Sequence, residues 1–171
     1  LLHLAAYRGN LDIVELLLRH GADPNQRNDV SNSPLHYAVL NETKDQLNVV
    51  KLLIQNGAHV NEKGMNGATP LHYAAEQAYI RIADLLLSNK ANPNAQDDDA
   101  DTPLHWAISQ QNQLNVVKLL IQNGAHVNEK GMNGATPLHY AADNVNTSIA
   151  DLLLSNKADL NVQDEDEDTP L

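Results

Sequence analysis

The stretch Thr69-Pro70-Leu71-His72-Tyr73-Ala74-Ala75 recurs letter for letter as Thr136-Pro137-Leu138-His139-Tyr140-Ala141-Ala142. Thr102-Pro103-Leu104-His105-Trp106-Ala107 and Ser33-Pro34-Leu35-His36-Tyr37-Ala38 are close copies, and Leu2-His3-Leu4-Ala5-Ala6 is a shorter one. Thr169-Pro170-Leu171 begins a further copy. The anchor leucines stand at 2, 35, 71, 104, 138 and 171, so the steps are 33, 36, 33, 34 and 33 residues. A fixed period of this size marks an array of stacked supersecondary units, each too small to hide its apolar face alone. The 171 residues therefore form one elongated stack instead of one round core.

Within a unit, Thr69 before Pro70 is a helix start. The hydroxyl can accept from an amide of the first turn, and proline fits the first helical position. Leu71, Ala74 and Ala75 share a face at helical spacing, and the alanines allow a neighbouring helix to come close. A second helical pattern runs through Ile80-Arg81-Ile82-Ala83-Asp84-Leu85-Leu86-Leu87. It stops at Asn89-Lys90-Ala91-Asn92-Pro93, because proline cannot continue it. Residues 94–101 are polar and lead to the next Thr-Pro.

These features together resemble the ankyrin repeat: Thr-Pro-Leu-His-x-Ala, a short helix, a leucine-rich helix, Gly-Ala-x-x-Asn and a hairpin loop. The resemblance spans essentially the whole chain. It implies an all-α solenoid of antiparallel helix pairs with projecting fingers, acting as a protein-binding surface. The expected repeats are 1–32, 33–68, 69–101, 102–135 and 136–168, with 169–171 opening a sixth. Leu1 lies inside a motif and no initiator Met precedes it, so a piece of a longer array is expected. Uncapped ends should fray, with fast amide exchange in residues 1–9 and after 160.

Repeat 2 carries three extra residues within Leu40–Gln46, and repeat 4 one near Asn112; both belong in surface loops. A longer period overlies the first: Leu47 to Ala75 is identical to Leu114 to Ala142, an offset of 67 residues. The even repeats close helix two with Asn56-Gly57 and Asn123-Gly124, and carry Asn66-Gly67 and Asn133-Gly134 in the finger. Repeats 3 and 5 have Lys90, Lys157, Ala100 and Glu167 at those glycine positions, each costing on the order of 1 kcal/mol if the backbone stays left-handed. Where repeat 1 has Gly9 between its helices, they have Ala78 and Val145. A β-branched residue at positive φ is an outlier, so the turn at Val145 is expected to be remodelled and repeat 5 to be the least stable complete unit.

Net charge is -11, which excludes the basic footprint needed for nucleic acid and opposes anionic membranes. No apolar run is long enough for membrane insertion. There is no cysteine, which removes disulfides and thiolate chemistry and is compatible with a reducing, intracellular or cytoplasmic setting. A secreted effector that meets host proteins is the other setting considered. The motif histidines sit one per repeat, about 10 Å apart in a helical stack, too far to share a metal ion. Asp97, Asp99 and Asp101 open like a calcium loop, but Thr102 and Ile108 stand where glycine and glutamate are needed. With no phosphate loop and no nucleophile–base set, neither enzyme activity nor cofactor nor metal is expected.

The expected activity is binding of a protein or peptide, with a basic one favoured by the acidic fingers Asp97–Asp101 and Asp164–Asp168, by a monomeric chain. A substrate-recruiting part of a larger enzyme and a structural spacer are the alternatives; the near-perfect duplication suits the spacer. The resemblance places contact residues in the fingers and at the ends of the first helices. Carried over by position, these are Met65, Asn66, Glu76, Gln77, Asp98, Asp99, Asp101, Ser109, Gln110, Met132, Asn133, Asp143 and Asn144. Tyr73, Trp106 and Tyr140 form an aromatic stripe beside them, read first as packing with partial exposure and second as anchors. Asn25, Asn61, Asn94, Asn128 and Asn161 are expected to brace the hairpins; the resemblance adds hydroxylation as a possible modification.

Overall fold

The computed structural model describes residues 1–110 and 113–170, so the extra residue near Asn112 and the last anchor, Leu171, lie outside the described residues. Among the described residues the chain is all-helical and forms a solenoid of antiparallel pairs. The pairs are α1 (Leu2–Tyr7) with α2 (Leu11–Arg19), α3 (Pro34–Val39) with α4 (Gln46–Gln55), and α5 (Pro70–Glu76) with α6 (Ile80–Ser88). They continue with α7 (Pro103–Ser109) and α8 (Leu114–Gln122), then α9 (Pro137–Asp143) and α10 (Thr147–Ser155). Each helix has between 6 and 10 residues, too short to persist alone in water. Stacking supplies what length does not. First helices pack on first helices, second helices on second helices, and one apolar cluster runs from Leu2 to Ala158.

The repeated Thr-Pro-Leu-His tetrapeptide explains why each first helix starts where it does. The backbone N–H of Thr69 donates to Nδ1 of His72 over 3.0 Å, and the Thr69 hydroxyl lies 2.9 Å from the same nitrogen. Ser33–His36, Thr102–His105 and Thr136–His139 repeat the arrangement. Because Nδ1 accepts, the proton sits on Nε2. From there His36 donates to the carbonyl of Ala68 (3.2 Å), His72 to Asp101 (3.1 Å) and His139 to Asp168 (3.1 Å). One imidazole thus caps its own helix and fastens the base of the following finger. Burial holds the pKa of His36 and of His72 down to about 4, so both rings stay neutral.

Asn25, Asn61, Asn94 and Asn128, expected to brace their own hairpins, instead spend their side chains on the next repeat. Asn25 donates to the Gly57 carbonyl (2.9 Å) and accepts from the His59 amide (2.8 Å). Asn61, Asn94 and Asn128 do the same to Lys90 and Asn92, Gly124 and His126, and Lys157 and Asp159. The carbonyl accepted is always that of the left-handed residue just past a second helix, whether Gly57 (φ 89°) or Lys90 (φ 69°). Lys90 and Lys157 therefore keep the backbone that glycine would adopt, with the strain that the side chain brings.

The expected remodelling at Val145 does not occur. Val145 has φ 53°, close to Ala78 at 54° and Gly9 at 66°. Its amide bonds to Ala142 and that of Asn146 to Ala141, as those of Gly9 and Asn10 bond to Ala6 and Ala5. The physical reason is the stack itself: α9 and α10 are each fixed by their neighbours, so the turn between them must keep its shape and the strain stays in place. The Val145 side chain lies 83% exposed and meets nothing that would penalise its position. The insertion in the second pair behaves as expected of a surface loop, except at its end. Gln46 is buried, and its amide donates to the carbonyls of Ala6 and Ala38, tying the loop to the first two helix pairs.

Candidate protein-interaction surface

Four fingers join the five pairs, at residues 28–32, 64–68, 97–101 and 131–135, and a fifth, at 164–168, follows the last pair. Each is closed at its base by a backbone bond, Asn28 to Asn32, Gly64 to Ala68, Asp97 to Asp101, Gly131 to Ala135 and Asp164 to Asp168, between 2.8 and 3.1 Å. Among the described residues no strand forms; the fingers are tight loops, with a 3-10 turn at Met65–Gly67 and at Met132–Gly134. Adjacent fingers interlock, and the interlock explains the 67-residue alternation. Asn32 Oδ1 accepts from the Met65 amide (2.8 Å), and Asp101 Oδ1 from the Met132 amide (3.0 Å). A Cβ at Gly64 or Gly131 would overlap those oxygens and reach His36 or His105 Nε2 within about 3 Å. An odd finger thus carries the reaching side chain and the next finger carries the glycine that admits it. Backbone bonds from Asp98 to Asn66 (3.0 Å) and from Glu165 to Asn133 (2.9 Å) complete the rail.

The acidic fingers divide into structural and exposed residues. Asp97 is buried: its carboxylate accepts from the amides of Asp99 and Asp101 and from the Trp106 indole N–H (2.8 Å). Asp101 accepts from the Met132 amide and the Tyr140 hydroxyl, which is 2.9 Å from both oxygens. Desolvation and this carboxylate push the Tyr140 pKa well above the ordinary tyrosine value. Asp98, Asp99, Glu165 and Asp166 are exposed at the tips. The lysines at the finger stems are spent on carbonyls of the next finger, Lys63 on Gln96 (2.6 Å) and Lys130 on Gln163 (2.8 Å). From the second finger onward the tips alternate apolar and acidic, Met65, Asp98-Asp99, Met132 and Glu165-Asp166, with Val30 on the first.

The residues singled out from sequence take three positions. Met65, Asn66, Asp98, Asp99, Met132 and Asn133 form the exposed fingertip row. Glu76, Gln77, Ser109, Gln110, Asp143 and Asn144 lie at the ends of the first helices, with Asn144 donating to the carbonyls of Ile108 and Tyr140. Asp101, Trp106 and Tyr140 are half-buried between the two rows. Tyr73 departs from this set: it is only 6% exposed, packed edge-on to Trp106 at 5.5 Å and His36 at 6.1 Å, and serves packing. Glu76, Asp101, His105, Trp106, Ser109 and Tyr140 line an open pocket of about 170 Å³. Sequence reasoning missed Asp97, which fixes the indole of that pocket. The signal was the aligned Asn28, which donates to the Tyr37 hydroxyl at the same place (2.9 Å). It also omitted the exposed Leu4, Tyr7 and Val30 on this side of the first pair.

The family model described as ankyrin repeats (3 copies) matches residues 2–97 and again 78–164. The chain belongs to the ankyrin-repeat family. Ankyrin repeats are generally protein–protein interaction modules, and their helical scaffold is typically non-enzymatic. No curated protein matches the chain. Among the described residues no group of three or more His, Cys, Asp or Glu is arranged to hold a metal ion. Among the described residues of this ankyrin array no helix is long and apolar enough to cross a membrane.

Proposed function

We propose that the chain binds a protein or peptide, as a monomer and without catalysis, on the face made by the fingertips and the ends of the first helices. One observation carries this reading. The internal hydrogen bonds consume Asp97, Asp101, Lys63 and Lys130, yet leave a continuous row of exposed Met and acidic side chains with no internal work. Met65 and Met132 are 44% and 48% exposed, adaptable apolar contacts of the kind that interaction surfaces use. Asp98, Asp99, Glu76 and Asp143 lie outside all four ion pairs found among the described residues, which favours a basic partner. The three bases of the middle second helices, Lys51, Arg81 and Lys118, are exposed on helices that line the other side of the stack.

The test is site-specific photo-cross-linking in cell extract. Probes at Met65 and Met132 should capture a common partner, while a probe at Lys118 should not. Equal capture from both sides of the stack would defeat the reading. Capture from neither would favour the structural spacer, which the near-identical halves also suit.

A further inference from the structure

We propose that the pocket between the third, fourth and fifth helix pairs receives an arginine side chain of the partner; this rests on the reading of the finger and first-helix face as the binding surface. Two carboxylates and two aromatic rings face one another across about 170 Å³. The Glu76 carboxylate has one neutral contact, the Gln77 amide at 3.3 Å. Asp101 is held by neutral donors alone, the Met132 amide and the Tyr140 hydroxyl. Neither takes part in an ion pair among the described residues. At the floor His105 is fully buried, and its protonated Nε2 is turned to the base of the next finger, beside Gly131, so the ring is neutral and adds no opposing charge. Burial lowers its pKa in support of this.

The shape of the pocket favours guanidinium over ammonium. Trp106 cannot swing away, because Asp97 holds its N–H and Tyr73 and His72 pack edge-on to it at 5.5 and 5.3 Å. A planar guanidinium can stack on a fixed indole and send forked N–H donors to a carboxylate at its edge, which a compact ammonium cannot do.

The internal duplication supplies a control. The aligned positions between the first, second and third pairs are Tyr7, Asn32, His36, Tyr37, Leu40 and Tyr73. Tyr7 stands where Glu76 stands and packs edge-on to Tyr37 at 6.4 Å, and Asn32 replaces Asp101. The earlier set carries no carboxylate and places a tyrosine ring against Tyr37; the later set carries two carboxylates. The difference lies outside the two identical stretches, so it is particular to this site and not a property of the repeating scaffold.

Trp106 is the only tryptophan, so its indole N–H resonance reports on this pocket alone. Titration with N-acetyl-L-arginine methylamide should displace that resonance saturably, and the neutral isostere N-acetyl-L-citrulline methylamide should not. Glu76→Gln should weaken the response about tenfold, the worth of one charge-assisted hydrogen bond. Glu76→Tyr should abolish it by removing the carboxylate and placing a ring against Trp106 as Tyr7 lies against Tyr37, with unchanged helical circular dichroism. An equal response to citrulline, an undiminished response in Glu76→Gln, or equal or tighter binding of N-acetyl-L-lysine methylamide would overturn the assignment. Fingertip cross-linking without any arginine response would sink the pocket alone, whereas an arginine response without cross-linking would uphold the pocket and sink the wider surface.

Discussion

The Tyr140 hydroxyl donates to the Asp101 carboxylate from 2.9 Å to each oxygen, joining the helix of one pair to the finger that precedes the pair before it. Asp101 in turn holds the Met132 amide, so a single carboxylate organises a finger, its neighbour and a helix. Tyr140→Phe should lower stability by about 1 kcal/mol, read as a shift in the urea midpoint. The sign of the pH dependence follows from the raised pKa: the contribution is present below pH 10 and is lost as pH rises further through the folded-state value. The wild type should therefore weaken above pH 10 more steeply than Tyr140→Phe.

The neutral histidines act in the acid range. His36 and His72 titrate at about 4 when folded against 6.5 for an unburied ring. Their contribution is complete above pH 6.5 and is lost as pH falls from there toward 4, because the unfolded chain binds the proton first. The difference between 6.5 and about 4, at about 1.4 kcal/mol per pH unit, amounts to about 3–4 kcal/mol for each ring. His72→Gln should be less stable at pH 7 and should show a shallower loss of stability between pH 6.5 and 4. Parallel slopes for the two proteins would contradict the assignment.

Strain at the left-handed positions can be relieved one residue at a time. Val145→Gly should stabilise the chain by about 1 kcal/mol, since a β-branched residue at φ 53° is unfavourable and its side chain makes little contact. Lys157→Gly should act in the same direction. Amide exchange in α9 and α10 should be faster than in the other complete pairs and should slow in Val145→Gly; no change in exchange there would mean that the turn does not limit this pair.

The finger interlock predicts a size limit at one atom. Gly131→Ala should destabilise by about 1–3 kcal/mol, because the new methyl must displace an Asp101 carboxylate already bonded to Met132 and Tyr140. Asp101→Ala should remove most of that penalty, so the double mutant should fall well short of the sum of the single changes. Strict additivity would show that the two positions do not meet.

Much of this was legible in the letters because it depends on local pattern. Thr69-Pro70-Leu71-His72 specifies a capped helix start wherever it occurs, and the 33-residue step forces stacking because no single pair can bury its leucines. The exposed fingertips Met65, Asp98 and Met132 could likewise be placed by position in the repeat. What only the tertiary structure decided are the contacts that cross from one repeat to the next. Asp97 and Asp101 look like their exposed neighbours Asp98 and Asp99 in sequence, yet the stack brings an indole to one and a phenol to the other. Tyr73 and Tyr140 sit in identical surroundings over 29 letters, from Leu47 and from Leu114, but one is buried and the other lines a pocket, because different residues lie above and below them. Val145 kept a backbone that its own side chain disfavours, since two helices fixed by their neighbours outweigh about 1 kcal/mol of local preference. A repeat dictates its own shape through short-range rules, while its chemistry is set by the repeats against which it is stacked.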